Sequence, residues 1–598
     1  MRQFPLPLIF NEPEVPVDAP SPRGLVIPDA MVQKAVQLVD LMKVLERVDA
    51  WRNEDRRGPG GRPETFPMRA VLVAMVLCVT TGEPLLVTRM RDVLFLQISS
   101  TMRVSLGVPD PPGPLDRRGR EACYRNVRTR IHTLLDLVDP SVLPKNRRLD
   151  ADAFHIAVAL RRSIRSEADC AMRGDRLVWL INQILEASFR MLPRSFRRKW
   201  KGSVAVDATV VKAFAREEIR VEGKEKASKR AVLIYSADPD AAWYHREPDR
   251  RNLDASPKKD SVWGYELSIV VTGTDDPESL AAVPSLAIGM APLHRPGTDP
   301  GPNAIVALTS VHARGHPRGW LAGDMAYTGA KADNFQLPAL ALDYRVVLDY
   351  RKDQLGVQDS FGGLVLIEGA WYCPSTPDVL INATRDYRKR LIDEATYDRL
   401  LQERWLYLAG ARAGVDDEGH QRVSCPAAPY ATARCDLKPA SLTLKSTQGK
   451  LRIPVRSDVR ANPPRVCTQQ SLTIPPEAGA KFRQELLFGS PKWHAVYHTL
   501  RNSIEGFNGY VKDGAHDALG EAQRRRLRGV TAQSVLVAFL LFGANLRKIS
   551  AFLAEEDAVA VGAVRRLPRR RRTRSIEAWK PESPGTGTNS GPDPPRTG

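Results

Sequence analysis

Apolar residues recur at helical intervals through the first third of the chain. Between 28 and 51 they lie three or four residues apart and predict an amphipathic helix, with Met31, Ala35, Leu38, Met42 and Leu45 on one face. The same pattern predicts helices at about 67–80, 85–98, 119–138 and 175–191. The segment 27–195 is therefore predicted to be an all-α domain. The proline-rich stretch 1–26 before it is predicted to be an extended arm.

Beyond this domain, β-branched runs alternate with helical patterns. Strands are predicted at 203–211, 265–272, 285–293, 319–323 and 344–350, and helices at 302–312 and 332–342. The first three strands are predicted to form a meander, interrupted by a polar loop insertion at 216–262. The later alternation of strand and helix predicts parallel pairing on one side of a mixed sheet. The predicted fold class of 196–351 is therefore α/β.

The alternation ends at about 352. Prolines are frequent from 352 to 490 and the strand-like pieces are short, which predicts a β-rich insertion. Helical patterns return at about 491–513 and 530–554, so 491–564 is predicted to complete the α/β core. The segment 565–598 is rich first in arginine and then in proline, glycine and serine, and is predicted to be a basic disordered tail.

The net charge of the chain favours one class of binding partner. The chain carries 88 Lys and Arg against 69 Asp and Glu, a net charge of +19, which favours a polyanion and above all a nucleic acid. Seven scattered cysteines do not resemble a disulfide framework, so a reducing, cytoplasmic compartment is expected. The longest uninterrupted apolar run, 70–79, is much shorter than the roughly 20 residues of a membrane helix, and no membrane partner is expected.

Three carboxylates stand out at the ends of these elements. Asp207 interrupts an otherwise apolar strand, Asp324 follows the next strand of the parallel set, and Glu505 lies on a late helix. Each alone is compatible with a turn, a helix cap or a surface ion pair. Together they predict a site for two divalent metal ions, with magnesium or manganese favoured because the ligands are all oxygens.

The helix that carries Glu505 has one polar face. Arg501, Glu505, Asn508 and Lys512 recur every three or four residues and therefore share that face. The cations are predicted to hold nucleic-acid phosphates beside the carboxylates.

These motifs resemble those of the DDE transposases of bacterial insertion sequences. VAVDATVV at 204–211 is similar to the first catalytic strand of that family, and GDMAY at 323–327 to its second motif, an Asp followed by a Tyr. Arg501-x3-Glu505-x6-Lys512 has the spacing of the family's YREK signature. Three residues separate Tyr497 from Arg501 where the signature leaves two, so Tyr497 departs from the pattern.

The resemblance covers about 200–550 and implies a ribonuclease-H-like catalytic core in which Asp207, Asp324 and Glu505 are both catalytic residues and metal ligands. Tyr497, Arg501, Asn508, Lys512 and Tyr327 would contact DNA. The large insertion before Glu505 resembles the one in the hairpin-forming branch of that family. The family implies binding of terminal inverted repeats by the helical domain, cleavage at the element ends and joining of the 3′ ends to target DNA. It also implies a homo-oligomer on double-stranded DNA in a bacterial cytoplasm.

Two other functions stay open: a metal-dependent nuclease that cuts without joining, and a non-catalytic DNA-binding protein derived from a transposase. The insertion also contains Cys373, Cys425, Cys435 and Cys467. Four thiols suffice for a structural zinc, but no CxxC pair is present. Buried free cysteines and disulfides are the alternatives.

Overall fold

The computed structural model describes residues 26–56, 58, 66–111, 115–221, 232–246, 260–428, 433–443 and 448–562. The basic tail expected at 565–598 and all but the last residue of the extended arm expected at 1–26 lie outside these described residues.

The first part of the described chain is helical. Its elements are α1 (Asp29–Met42), α2 (Leu45–Glu54), α3 (Met68–Thr80), α4 (Val87–Asp92) continued by a π-helical turn (Val93–Gln97), α5 (Ser100–Ser105), α6 (Arg117–Val138), the short strand β1 (Leu149–Asp150), α7 (Ala151–Ile164), α8 (Glu167–Arg190) and α9 (Arg194–Lys199).

The single helix expected over 28–51 is two helices. Lys43 adopts a left-handed conformation with φ 54° and its backbone N–H bonds to the carbonyl of Asp40, which ends α1. The apolar pattern continues through the break because both helices bury side chains in the same cluster, including Met42 and Val48. The helix expected at 175–191 begins earlier, at Glu167, where Ser166 caps it by accepting a bond from Asp169 N.

In the described residues up to 354, eight strands and their connecting helices follow. They are β2 (Val204–Lys212), β3 (Ile219–Val221), β4 (Val232–Tyr235), β5 (Ala242–Arg246), β6 (Asp260–Thr272), β7 (Ala287–Met290), α10 (Pro300–Ala313), β8 (Trp320–Gly323), α11 (Met325–Gly329), a 3-10 turn (Ala332–Asn334), α12 (Gln336–Ala341), β9 (Arg345–Leu348) and a second 3-10 turn (Lys352–Gln354). The helix expected at 332–342 is thus a 3-10 turn followed by one short helix.

The central sheet is mixed, as the alternation of strands and helices predicts. Its order is β5-β6-β2-β8-β9, and β7 also pairs with β6. Strand β2 runs antiparallel to β6, from Val204 opposite Thr272 to Lys212 opposite Gly264, and parallel to β8, which is parallel to β9. The carboxyl ends of β8 and β9 therefore lie at one edge of the sheet.

The described parts of the polar segment 216–262, which is expected to be a loop, contain three complete strands. β3 and β4 form a small antiparallel sheet with β1, while β5 extends the central sheet by pairing with β6. Trp243 of β5 lies opposite Trp263 of β6, with ring centroids 5.6 Å apart. The charged residues around these aromatics conceal the strand pattern in the sequence.

The described residues of the insertion contain more helix than strand, so the expectation of a β-rich insertion is corrected. Within 352–428, 433–443 and 448–490 they form two three-stranded antiparallel sheets and five helices: β10 (Val357–Phe361), β11 (Leu364–Ile367), β12 (Ala370–Tyr372), α13 (Asp378–Arg388), α14 (Glu394–Trp405), β13 (Gly410–Val415), β14 (Gln421–Ser424), α15 (Ala440–Thr443), α16 (Ser457–Ala461), α17 (Arg465–Thr468) and β15 (Leu472–Ile474). Glu368 and Arg404 form an ion pair of 2.8 Å inside it, both almost fully buried.

Two long helices complete the fold, with a 3-10 turn (Ala522–Arg524) between them: α18 (Pro491–Lys512) and α19 (Val530–Ala560). One hydrophobic cluster extends without a break from α1, α3 and α8 to one face of the central sheet and to α18 and α19. A second cluster lies on the other face, beneath α10 and α12. The core is therefore continuous across the boundary at 195–196.

Helix α19 is long and apolar enough to cross a membrane by length and composition, although its sequence is not an uninterrupted apolar run. Within the described structure, 78% of its most apolar window is buried. It packs against α3, α8 and β7 as a core helix, which accounts for its hydrophobic sequence and is compatible with a soluble protein.

Candidate active site

Strand β2 places a carboxylate on the sheet face that α18 covers. Val204, Ala205 and Val206 are fully buried, and the Asp207 side chain is 17% exposed. Burial raises the pKa of Asp207 to about 6; the charges of Asp324 and Glu505 act in the same direction, while Arg501 and the backbone N–H of Ala208 oppose it. Asp207 is therefore a carboxylate whose ionised form needs further positive charge nearby.

Helix α18 lies against this part of the sheet through one apolar face. Ser490 caps its first turn by accepting a bond from Trp493 N, and Leu500, Ile504, Phe507 and Val511 are buried at helical spacing. The adjacent positions on the helix therefore lie at the boundary between the sheet and solvent.

Two of these positions contact Asp207 directly. Asn508 Nδ2 donates a hydrogen bond of 2.9 Å to Asp207 Oδ2, and Arg501 Nη1 lies 3.8 Å from Asp207 Oδ1. Both side chains are largely buried. The polar face of α18 thus meets the first strand, which lies about 300 residues earlier in the sequence.

Glu505 lies further out on the same helix. Its side chain is 60% exposed, and Oε1 accepts a hydrogen bond of 3.0 Å from Arg501 Nη2. The negative charges of Asp207, Asp324 and Glu505 raise the pKa of Arg501 although its burial works in the opposite direction. Arg501 is therefore the cation that all these acidic groups share.

Asp324 is located where β8 ends and α11 begins. It caps α11 by accepting a bond of 2.9 Å from Ala326 N. Its charge contributes to the raised pKa of Asp207, so the two aspartates interact electrostatically, as expected from adjacent parallel strands. Gly323 leaves no space for a larger side chain here, since a Cβ would lie 2.8 Å from Tyr327 Cδ2.

The fit to divalent metal is partial. Asp207 and Asp324 supply carboxylate oxygens, the ligands that magnesium and manganese prefer, and the raised pKa of Asp207 marks a place where a cation would be stabilising. Glu505 instead faces Arg501, and no three His, Cys, Asp or Glu side chains in the described part of the chain surround one metal position. Ligation by all three carboxylates would require Glu505 to leave Arg501.

The tyrosines and Asn508, which are expected to contact DNA, have protein partners in this structure. Tyr497 is stacked on Trp493 with centroids 4.8 Å apart, Tyr327 packs against Phe335, and both tyrosines are buried. Asn508 is also buried and bonds to Asp207. These side chains are buried in the structure without DNA, and their contact with DNA stays a prediction.

The two cations of the helix differ in position. Lys512 is exposed, at the last residue of α18, and Arg501 is the more enclosed of the two. Lys512 is thus accessible from solvent, whereas Arg501 lies beside the carboxylates.

Two further carboxylates near the site do not appear among the sequence-based candidates. Burial raises the pKa of Glu266, with Asp207 and Asp324 adding to the effect. Glu266 lies opposite Val210, hence on the other face of β2 from Asp207. Asp349 follows β9 directly and bonds to Arg388 of the insertion over 2.8 Å. Its sequence signal is the same as that of Asp324, an aspartate at the end of a parallel strand.

The four cysteines of the insertion are all buried and none forms a disulfide. Comparison of the chain with protein-family models, with curated proteins and with solved structures finds no match.

Proposed function

We propose that the protein is a DNA transposase that binds the terminal inverted repeats of its element, cleaves at the ends and joins the 3′ ends to target DNA. The observation that carries the proposal is the contact of Asn508 and Arg501 with Asp207. It brings the late polar helix onto the first-strand aspartate, and Asp324 lies on the neighbouring parallel strand. A structure in which the three motifs lay apart would have removed the basis for the resemblance.

The strand order supports the proposal as well. A central strand with an antiparallel neighbour on one side and two parallel strands on the other, β7-β6-β2-β8-β9, is the arrangement that a ribonuclease-H-like core requires. Its candidate carboxylates lie on the central strand and at the carboxyl end of the next one, where ligands of open α/β sheets bind.

The roles of the side chains follow from their positions. Asp207 and Asp324 would hold magnesium or manganese, which when bound supplies Lewis-acid stabilisation of the phosphate undergoing substitution. Asn508 orients the Asp207 carboxylate through its 2.9 Å hydrogen bond. Arg501 neutralises the cluster in the absence of DNA, and exposed Lys512 would contact a phosphate.

The partner is inferred from charge. A net charge of +19 favours double-stranded DNA, and the basic segment 565–574 would add contacts that carry no sequence information. The N-terminal helices would recognise the element ends. Because two ends must be processed together, the active form would be a homo-oligomer on DNA.

The test uses oligonucleotides that end in the inverted repeats flanking the coding region, together with a supercoiled target. Wild-type protein with Mg²⁺ should cleave the ends and yield joined product. Asp207→Asn, Asp324→Asn and Glu505→Gln should each abolish cleavage while keeping binding to the labelled ends. Cleavage without joining would favour the nuclease. Full cleavage by any of the three variants would refute the catalytic role proposed for the residue that it replaces.

A further inference from the structure

Three cysteines of the insertion begin the same kind of turn. In each case the cysteine carbonyl accepts a hydrogen bond from the backbone N–H three residues later. The distances are 3.1 Å from Thr376 to Cys373, 2.9 Å from Ala428 to Cys425 and 3.0 Å from Lys438 to Cys435. The same turn therefore occurs at three separate cysteines of the insertion.

The thiols of these turns also have equivalent partners. Ala427 N donates to Cys425 Sγ over 3.4 Å, two residues along the chain. The backbone N–H groups of Ser375 and Leu437, again two residues along, act to lower the pKa of Cys373 and Cys435 against the larger effect of burial. Backbone N–H groups aimed at sulfur stabilise the thiolate form, which is the form that ligates metals.

The fold brings the three turns and a fourth cysteine together. Cys373 directly follows β12, Cys425 directly follows β14, and Cys467 lies in α17. Cys425, Cys435 and Cys467 belong to one buried cluster. The second and third turns are joined by a 3.0 Å bond from Ala433 N to the carbonyl of Pro426.

The electrostatics support the proximity of all four. Burial raises the pKa of Cys373, and Cys425, Cys467 and Cys435 each raise it further. Burial likewise raises the pKa of Cys467 to about 12, with contributions from Cys425 and Cys435. These mutual effects indicate that the four cysteines lie near one another in the fold.

We propose that Cys373, Cys425, Cys435 and Cys467 bind one zinc ion that fastens the insertion. Four thiolates favour tetrahedral zinc over magnesium or calcium, which take oxygen ligands. The ion would connect the strand ends of both small sheets with α17, between two hydrophobic clusters that are much smaller than the main core. No three of these thiols are already drawn around one point in the described structure, so binding would pull them inward.

The test measures metal in the full-length protein purified with a reducing agent and without chelators. Elemental analysis should find about one zinc per chain, as a closed tetrathiolate site requires. The double variant Cys425→Ser/Cys435→Ser should lose that zinc. The matched control is Cys78→Ser/Cys123→Ser/Cys170→Ser, which changes the three cysteines outside the insertion and should keep it.

Cobalt provides a readout that does not depend on a variant that folds. Wild-type protein stripped of metal and reloaded with Co²⁺ should show the intense visible absorption of tetrahedral cobalt thiolate, and Zn²⁺ should abolish it. The proposal would be overturned if wild-type protein reloaded with Co²⁺ lacked this absorption. It would also be overturned if the purified protein contained iron in place of zinc, or if the double variant contained as much zinc as the wild type. Asp207→Asn protein should retain its zinc, which separates this result from the outcome at the candidate active site.

Discussion

Asn508 on the late helix donates a 2.9 Å hydrogen bond to Asp207 on the first strand of the central sheet. The bond fixes one carboxylate oxygen, while Arg501 lies 3.8 Å from the other. The carboxylate therefore has a defined orientation before any substrate arrives, as candidate catalytic groups require.

Removal of this hydrogen bond should slow DNA cleavage without preventing folding. A hydrogen bond to a charged group contributes about 1.5 to 3 kcal/mol, so Asn508→Ala should reduce the cleavage rate by roughly 10- to 100-fold. Single-turnover cleavage of a labelled element end measures the effect. Asn502→Ala, an exposed residue on the same helix, serves as the control and should retain the wild-type rate. Equal rates for the two variants would contradict the orienting role of Asn508.

Arg501 and a metal ion compete for the same carboxylates. Arg501→Ala removes the cation that bonds to Glu505 at 3.0 Å and interacts with Asp207. Mn²⁺ should then bind about tenfold more tightly in the absence of DNA, because a nearby positive charge no longer opposes it. Isothermal titration of the DNA-free protein measures this.

Arg501→Ala should also cleave DNA more slowly, because it lacks the side chain that is expected to contact a DNA phosphate. Asp207→Asn provides the opposite control and should weaken Mn²⁺ binding. Unchanged or weaker Mn²⁺ binding by Arg501→Ala would argue against a shared site.

The sequence predicts the parallel strands well because each is a short β-branched run bounded by turn residues. Strands β2, β8 and β9 and helix α18 all lie close to their expected bounds. The carboxylates Asp207 and Asp324 could be recognised because each interrupts or ends an apolar run. Their interaction follows from the parallel pairing.

Other features depend on contacts that no local pattern encodes. Helix α14 lies in a stretch that was expected to be mainly strand; it contributes Arg404, buried against Glu368. The role of Asn508 depends on a partner about 300 residues away in the sequence. From the sequence alone, a polar residue on an amphipathic helix is equally compatible with a solvent-exposed position. Glu266 alternates with apolar residues as a solvent-facing position would, although β6 is buried from Trp263 to Thr272.

Gly323 should be intolerant of even a methyl group. A Cβ there would meet Tyr327 Cδ2 at 2.8 Å and Val206 Cγ2 at 3.3 Å, and Tyr327 is fully buried and cannot move aside easily. Gly323→Ala should cost about 1 to 3 kcal/mol of stability through overpacking. Displacement of the adjacent Asp324 should lower cleavage at least tenfold.

Gly414→Ala is the matched control for this prediction. A Cβ at Gly414 has no neighbour within 4 Å, so its cleavage rate and unfolding midpoint should equal those of wild type. Chemical denaturation and the cleavage assay together distinguish the two variants. Wild-type activity in Gly323→Ala would show that the position of Asp324 does not depend on this close packing.

A buried carboxylate between α8 and the end of α10 should make the stability of the fold depend on acid pH. Glu186 of α8 lies 2.7 Å from His316 Nε2, 3.1 Å from Arg314 Nη1 and 2.8 Å from Arg190 Nε. Burial acts to raise the pKa of Glu186, but the hydrogen bond and charge of His316, with those of Arg314 and Arg190, lower it to about 2. Because this pKa is below the ordinary value of 4.5 for the unfolded chain, the stabilisation is complete above about pH 5 and is lost as pH falls towards 2.

Glu186→Gln should therefore destabilise the protein by on the order of 3 kcal/mol at pH 7, because Arg190 and Arg314 lose their buried counter-charge. The difference from wild type should shrink progressively between pH 5 and pH 3. Urea unfolding across this range measures it, with Glu167→Gln, an exposed glutamate in the first turn of the same helix, as the control without effect. A difference that stays constant from pH 7 to pH 3 would mean that Glu186 does not titrate as its ion pairs require.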